Sequence, residues 1–324
     1  MPDATPQWKR DLEENGFAVV KGAVPPERAA QYEQRALKWA SQFGFDKDDK
    51  STWTADHLPV GENGLCNDYG VSHEAWVWDA RLEPKVVETF EELWGTHELL
   101  VSFDAVNFSL PVGPHGRTDL QPAAPWPHMD QQPAPTDRPA LQFELAQGLL
   151  AMTKSGPLDG GLVVLEGSHK LLPQFFAETG GVKQEQDWGA RNYYTFTPTD
   201  LAWFKRQPGV VEVKVESAPG DLVLWDSRLI HWNRSPTADQ VRVVVYVCYA
   251  PRSMASDEVL GKRRECWEKR RATTHWPAPF IVVPRDEYGP PQRNGVDDPR
   301  DHDRPLEEPR ETEQLLRLVG VLPY

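Results

Sequence analysis

Ala218-Pro219-Gly220-Asp221-Leu222-Val223-Leu224-Trp225-Asp226-Ser227-Arg228-Leu229-Ile230-His231-Trp232-Asn233, followed by Val241-Arg242-Val243-Val244-Val245-Tyr246-Val247-Cys248-Tyr249, is the stretch on which the fold turns. Pro219-Gly220-Asp221 has the composition of a tight turn, and the apolar run after it reads as a buried strand leading to His231. The second apolar run reads as another buried strand with one cation at its start. A lone arginine opening such a strand needs an anionic partner, because an unpaired buried charge is expensive. Its planar fork suits a carboxylate. One candidate is the distal carboxylate of a 2-oxo dicarboxylic acid whose other end chelates a metal; a structural ion pair is the plain alternative.

Upstream, His128-Met129-Asp130 supplies what such an acid would need. Side chains alternate faces along a strand, so His128 and Asp130 can grip one ion from one side. His231 then completes a set of two imidazoles and one carboxylate on one face of an octahedron. That set leaves three positions open and is the arrangement of non-haem Fe(II) oxygenases. The tripeptide alone is weak. With 9 His and 49 Asp plus Glu in 324 residues, His-x-acid is expected by chance roughly 1.4 times. The separation of 11 positions from His231 to Arg242, and the strands that carry them, give it context.

With Gly160-Gly161-Leu162-Val163-Val164-Leu165-Glu166-Gly167-Ser168-His169-Lys170 added, residues 100–250 resemble the phytanoyl-CoA dioxygenase-like family of Fe(II)/2-oxoglutarate oxygenases. That stretch is similar to the family's Gly-rich strand ending in Gly-Ser-His, with Glu166 where proline is common. The resemblance implies iron ligands at His128, Asp130 and His231 and a 2-oxoglutarate anchor at Arg242. It also implies a polar side chain beside the metal that touches 2-oxoglutarate, for which Gln147 and Asn107 are the candidates. Each could equally be a core polar group satisfied by backbone. His169 reads as part of the turn and not as a ligand.

The 36.7 kDa chain is longer than an average domain, yet all-β barrels often reach this size as one unit. The expected architecture is mainly β, a double-stranded β-helix (jelly roll) core with flanking N-terminal and C-terminal helices. As a single domain it divides into a helical part with capping loops over 1–97, the core over 98–252, and a C-terminal helix and Pro-rich tail over 253–324. The 13 Trp and 30 Pro suit a loop-decorated scaffold with an aromatic-lined pocket, and Trp126 and Trp232 flank the proposed ligands. A net charge of −14 argues against nucleic-acid or anionic-membrane partners. The basic cluster Lys262-Arg263-Arg264 and Lys269-Arg270-Arg271 sits among glutamates and reads as a solvated helix face. Three cysteines without metal-type spacing, no apolar span and no leader-like start place the expectation in the cytoplasm.

Along the chain, a helix is expected over 8–14 and a strand over 17–20. A second helix starts after Pro25-Pro26, with Ala29, Tyr32, Ala36, Trp39 and Phe43 on one face. Residues 45–80 read as long capping loops, and a helix runs from Pro84 to Gly95. Strands follow over 99–108, 141–152, 162–165, 210–215, 222–225 and 241–249, with a Pro-rich stretch over 111–139 carrying His-x-Asp. The loops over 45–80 and 111–139, with the His275-Trp276 region, are expected to line the substrate entrance as a lid. The tail over 290–309 can wrap the domain or a second subunit, so a homodimer stays open.

Two functions of different class fit these residues. One is an oxygenase that uses Fe(II), 2-oxoglutarate and O2 on a small-molecule substrate, in specialised or natural-product metabolism. The other is a jelly-roll protein that binds a small molecule or an inert metal without turnover. The coincidence of triad, Arg242 and Gly-Ser-His favours the first.

Overall fold

The strands that the apolar runs announce are organised so that neighbours in sequence fall on opposite sheets. A computed structural model describes residues 5–133, 143–182 and 192–324. The chain runs α1 (Gln7–Asn15), β1 (Phe17–Val20), α2 (Pro26–Ser41), β2 (Leu65–Cys66), α3 (Ala75–Arg81), α4 (Pro84–Trp94), β3 (Leu99–Val101), β4 (Val106–Ser109), β5 (His128–Met129) and β6 (Ala146–Ala151). It continues through β7 (Gly161–Glu166), α5 (Leu172–Glu178), β8 (Tyr194–Thr195), α6 (Pro198–Lys205), β9 (Val211–Lys214), β10 (Leu222–Asp226), β11 (His231–Arg234) and β12 (Arg242–Pro251). The C-terminal part holds α7 (Asp257–Glu268), α8 (Pro284–Tyr288), β13 (Gln292–Arg293), β14 (Val296–Asp297) and α9 (Glu313–Val319).

One sheet has the order β1-β10-β6-β12-β4-β2, with β3 also on β12, and the other has the order β8-β5-β11-β7-β9. From β4 to β7, and again from β9 to β12, successive strands alternate between the two sheets. This is the winding of a double-stranded β-helix, with antiparallel neighbours throughout the ladders described. The expected jelly roll with flanking helices is the observed fold.

Strand β12 shows why its sequence is apolar almost without interruption. Val243, Val245 and Val247 face outward into a cluster with Ala29, Trp39 and Phe90 of the N-terminal helices. Val244 and Tyr246 face inward with Leu149, Leu162, Val164 and Trp225, which fill the space between the sheets. A strand covered on both sides loses the polar alternation of a half-exposed one. The second sheet is backed by α5 and α6, where Met129, Val163, Phe175, Phe204 and Trp232 pack together. Each fully buried aliphatic or aromatic side chain there is worth about 1.5–3 kcal/mol. At the turn before β10, Gly220 has φ +89°, and a Cβ there would lie 2.1 Å from the carbonyl oxygen of Val24, so only glycine fits.

Several expectations need correction. Residues 45–80 are not only loops: they include β2 and the buried helix α3, whose Trp76 and Trp78 pack inward. Phe43 lies past the end of α2 yet is buried with it. Helices α5 and α6, unread in the sequence, cover the second sheet. The basic cluster is not uniformly solvated, because Arg263 is fully buried and Arg270 is 7% exposed. Arg263 donates to the carbonyls of Val101, Pro277, Leu318 and Val319 at 2.7–3.0 Å, which tertiary structure brings together and helical periodicity cannot foresee.

The tail folds back on its own chain. Asp298 accepts from Tyr69 and Arg293, Arg300 donates to the Asp56 carbonyl, and Leu306 N–H donates to Glu74. Residues 134–139 of the Pro-rich stretch, and the start of the strand expected from 141, lie outside the described residues. Among the described residues no helix is long and apolar enough to cross a membrane, and the cysteines Cys66, Cys248 and Cys266 are free and buried.

Candidate metal centre and cosubstrate pocket

Strand pairing builds the centre. Strands β5 and β11 are adjacent, with His128 opposite His231, and the two rings lie 4.3 Å apart between centroids. Met129 turns outward into the second-sheet cluster, so His128 and Asp130 turn inward together. The Oδ2 atom of Asp130 lies 3.1 Å from His231 Nε2 and 3.6 Å from His128 Nε2. One ligand atom from each of the three residues lies within 4.8 Å of the other two.

The second atoms of these groups are also fixed. His128 Nδ1 donates to the carbonyl of Trp126, and His231 Nδ1 donates to the carbonyl of Leu229, each at 2.8 Å. A carbonyl only accepts, so each Nδ1 carries a proton, and each Nε2 points at Asp130, donating to it while the imidazole is charged and offering its lone pair to a metal once that proton leaves. Gln147 Nε2 donates to Asp130 Oδ2 at 2.7 Å. Burial opposes ionisation of Asp130, but His128 and His275 and the hydrogen bonds from His128 and His231 outweigh it and hold the carboxyl well below its usual range. Burial also disfavours a charged His128, and Asp130 overrides it and moves that imidazole upward. His231 is moved downward by burial and then by His128. The donor set of two neutral imidazole nitrogens and one carboxylate oxygen, converging from one side, fits a first-row divalent ion with positions left open.

Arg242 is 3% exposed at the start of β12. It donates to Asn107 Oδ1 at 2.7 Å, and Asn107 is held in turn by Ser109 and the Asn63 carbonyl. Tyr246, four residues along the same face, lies close to Arg242, which opposes the upward push of burial on its hydroxyl. Arg242 Nε is buried and without a partner. Gly161, at φ +90°, makes room for the guanidinium, since a Cβ there would lie 2.8 Å from Nε. The structure thus brings His128, Asp130, His231 and Gln147 together, and sets Asn107 against Arg242.

The two tryptophans differ. Trp126 is 52% exposed and stacks on His128 with centroids 4.0 Å apart, whereas Trp232 points to the opposite face of β11 and is core. Trp276, expected at the entrance, is buried as well. His275 lies outside the three-residue cluster but within electrostatic reach of all three members, with Nε2 buried and unpartnered. Its segment is tied to the core by paired bonds between Thr273 and Phe103. Asp104, next to Phe103, also faces Asp130, and burial pushes its carboxyl up to about 7. Sequence reading passed over Asp104 and Tyr246. The available signals were a lone acid in an apolar run and a polar group on the face of Arg242.

The phytanoyl-CoA dioxygenase (PhyH) family profile matches residues 12–243. Ava biosynthesis cluster protein O of Aspergillus versicolor is 38% identical over 279 residues, which cover 85% of this chain and 87% of that protein. A putative phytanoyl-CoA dioxygenase of Dictyostelium discoideum is 22% identical over 245 residues, 64% of each chain. Among solved structures, EctD from S. alaskensis with 2-oxoglutarate and 5-hydroxyectoine aligns over 95% of this chain and 90% of its own, at TM-score 0.51 and 13% identity. The epimerase SnoN in complex with Fe3+, alpha ketoglutarate and nogalamycin RO aligns over 91% and 96%, at TM-score 0.50 and 14% identity. At these identities the structural likeness concerns the fold.

Proposed function

The chain belongs to the phytanoyl-CoA dioxygenase family, and from that premise we propose that it is an Fe(II)/2-oxoglutarate-dependent oxygenase acting on a small or medium-sized organic molecule in specialised metabolism. The observation that carries the reading is the convergence of His128, Asp130 and His231 in the same barrel as a buried arginine with a free Nε. Family membership supports the reaction class. The relative from a biosynthesis cluster supports the setting.

In this reading His128, Asp130 and His231 hold the iron, and Arg242 receives the distal carboxylate of 2-oxoglutarate. Bound iron with 2-oxoglutarate supplies activation of O2, with succinate and CO2 released and hydroxylation of a C–H bond as the default outcome. The chain's own work is positional. Gln147 fixes the Asp130 carboxylate, the carbonyls of Trp126 and Leu229 fix the imidazole orientations, and Asn107 holds the guanidinium. The apolar interior around Leu149, Val164 and Trp225 keeps water from the reacting centre. Substrate reaches the open side past Trp126, Asp104 and His275.

The test is succinate release from 2-oxoglutarate by iron-loaded protein, screened against metabolite extracts for stimulation above the substrate-free rate. Stimulated release that Asp130→Ala abolishes is the expected result. Metal and 2-oxoglutarate binding without any release under all extracts would instead support the binding-protein alternative.

A further inference from the structure

The end of β9 brings a second cation to the wall of the cavity beside Arg242. Lys214 closes β9, and its Nζ donates to Ser155 Oγ at 3.0 Å and to the Val215 carbonyl at 2.7 Å. Ser155 and Val215 line one cavity together with Ser217 and Arg242. The wall is rigid, because Ser155 and Ser217 exchange both backbone hydrogen bonds, at 2.8 and 3.0 Å.

Neither cation is neutralised by its hydrogen-bond partners. The partners of Lys214 are a hydroxyl and a carbonyl, that of Arg242 is the Asn107 amide oxygen, and Arg242 Nε has none. No carboxylate among the described residues forms an ion pair with either. Burial and then the nearby Arg242 push the Lys214 ammonium down to about 8, a sign that the two positive charges feel each other. Arg242 and Ser155 line the cavity, Lys214 stands behind Ser155, and Asp159 and Glu216 oppose the effect of Arg242 on the ammonium without pairing with it, so an anion entering the cavity meets Arg242 directly and the Lys214 charge through Ser155.

We propose that Lys214 is a second cosubstrate-binding residue, which with Arg242 and Ser155 receives the distal carboxylate of a 2-oxo dicarboxylic acid. This rests on the reading of Arg242 as the 2-oxoglutarate anchor and extends it. A lysine is a point charge on a flexible stem, so it adds attraction without the directional demand of the guanidinium fork. The pair then selects for a carboxylate at the far end of the cosubstrate.

The experiment is calorimetric titration of manganese-loaded full-length protein with 2-oxoglutarate and, separately, with oxalate, which chelates the metal but has no distal carboxylate. Lys214→Gln, which keeps a hydrogen bond to Ser155 within reach, is expected to weaken 2-oxoglutarate about 10-fold. Oxalate and manganese affinities should stay within about twofold, and Lys214→Arg should recover most of the loss. Unchanged 2-oxoglutarate affinity in Lys214→Gln, or equal losses for 2-oxoglutarate and oxalate, would overturn the assignment and leave Lys214 a structural residue. Wild-type protein that binds manganese and oxalate but not 2-oxoglutarate would overturn the oxygenase reading itself, a result distinct from failure of the Lys214 variant alone.

Discussion

Two buried arginines divide the molecule into a part that consumes its charges and a part that keeps one available. In the C-terminal flank, Arg263 spends its guanidinium on four backbone carbonyls and lies over the ring of Phe103 at 4.8 Å. In the barrel, Arg242 is almost as buried but donates to a single side chain, Asn107, and leaves Nε bare. Burial of the two is alike; the chemistry of their surroundings is not. A charge saturated by backbone joins strand β3, helix α7 and helix α9 and has nothing left to offer. A charge with an orphaned donor, beside a glycine that clears space for it, is prepared for something that the chain does not supply.

The centre itself gives the largest expected effect. Asp130→Ala removes one of the three proposed ligands and should weaken metal binding by about 4 kcal/mol or more, while the urea midpoint of the metal-free protein hardly moves. A large loss of metal-free stability would mean that the triad is a structural clip, and the division would collapse. Next, Arg263→Met strands four carbonyls and should cost about 3–5 kcal/mol in urea unfolding, with 2-oxoglutarate affinity per folded molecule unchanged. Arg242→Leu should show the converse, a loss of about 2–5 kcal/mol in 2-oxoglutarate binding by calorimetry and a change in stability under about 1 kcal/mol. Matching stability losses in the two variants would show that both arginines are structural.

The smallest effect concerns His73, buried against Trp78, Phe103 and Trp267 in the flank. Burial drives its pKa down to about 3. Between that value and the ordinary 6.5 the unfolded chain binds a proton that the folded chain refuses, so stability rises with pH through this window. Its contribution is complete above 6.5 and is lost as pH falls toward 3. His73→Phe should lower the slope of urea stability against pH there by up to about 1.4 kcal/mol per pH unit. An unchanged slope would place the acid sensitivity elsewhere.

What could be read from sequence follows the range of the forces involved. The strands β10 and β12 were legible because burial on both faces leaves an unbroken apolar run, and His128 and Asp130 because strand alternation fixes their common face. The inward turn of Arg263 was not legible. Its partners come from residues 101, 277, 318 and 319, so a local pattern of alternating charges gave the opposite impression. Lys214 was hidden for the same reason: the strand Val-Glu-Val-Lys carries no sign that its last residue reaches Ser155 across a loop. Trp276 was expected near the entrance and Trp232 beside the proposed ligands, where core or substrate contact were both open, and packing put both inside.

Trp126 remains as the aromatic that stands half outside while its ring lies 26° from the plane of His128, a proposed ligand. An indole in van der Waals stack with a ring that grips a redox-active ion is a light emitter wired to its own quencher. Loading the centre should therefore dim the protein's ultraviolet fluorescence chiefly through Trp126 and, less directly, through Trp225, whose ring lies 5.6 Å from that of His231, and Trp126→Phe should reduce the change. The fold thus carries a built-in optical gauge of occupancy.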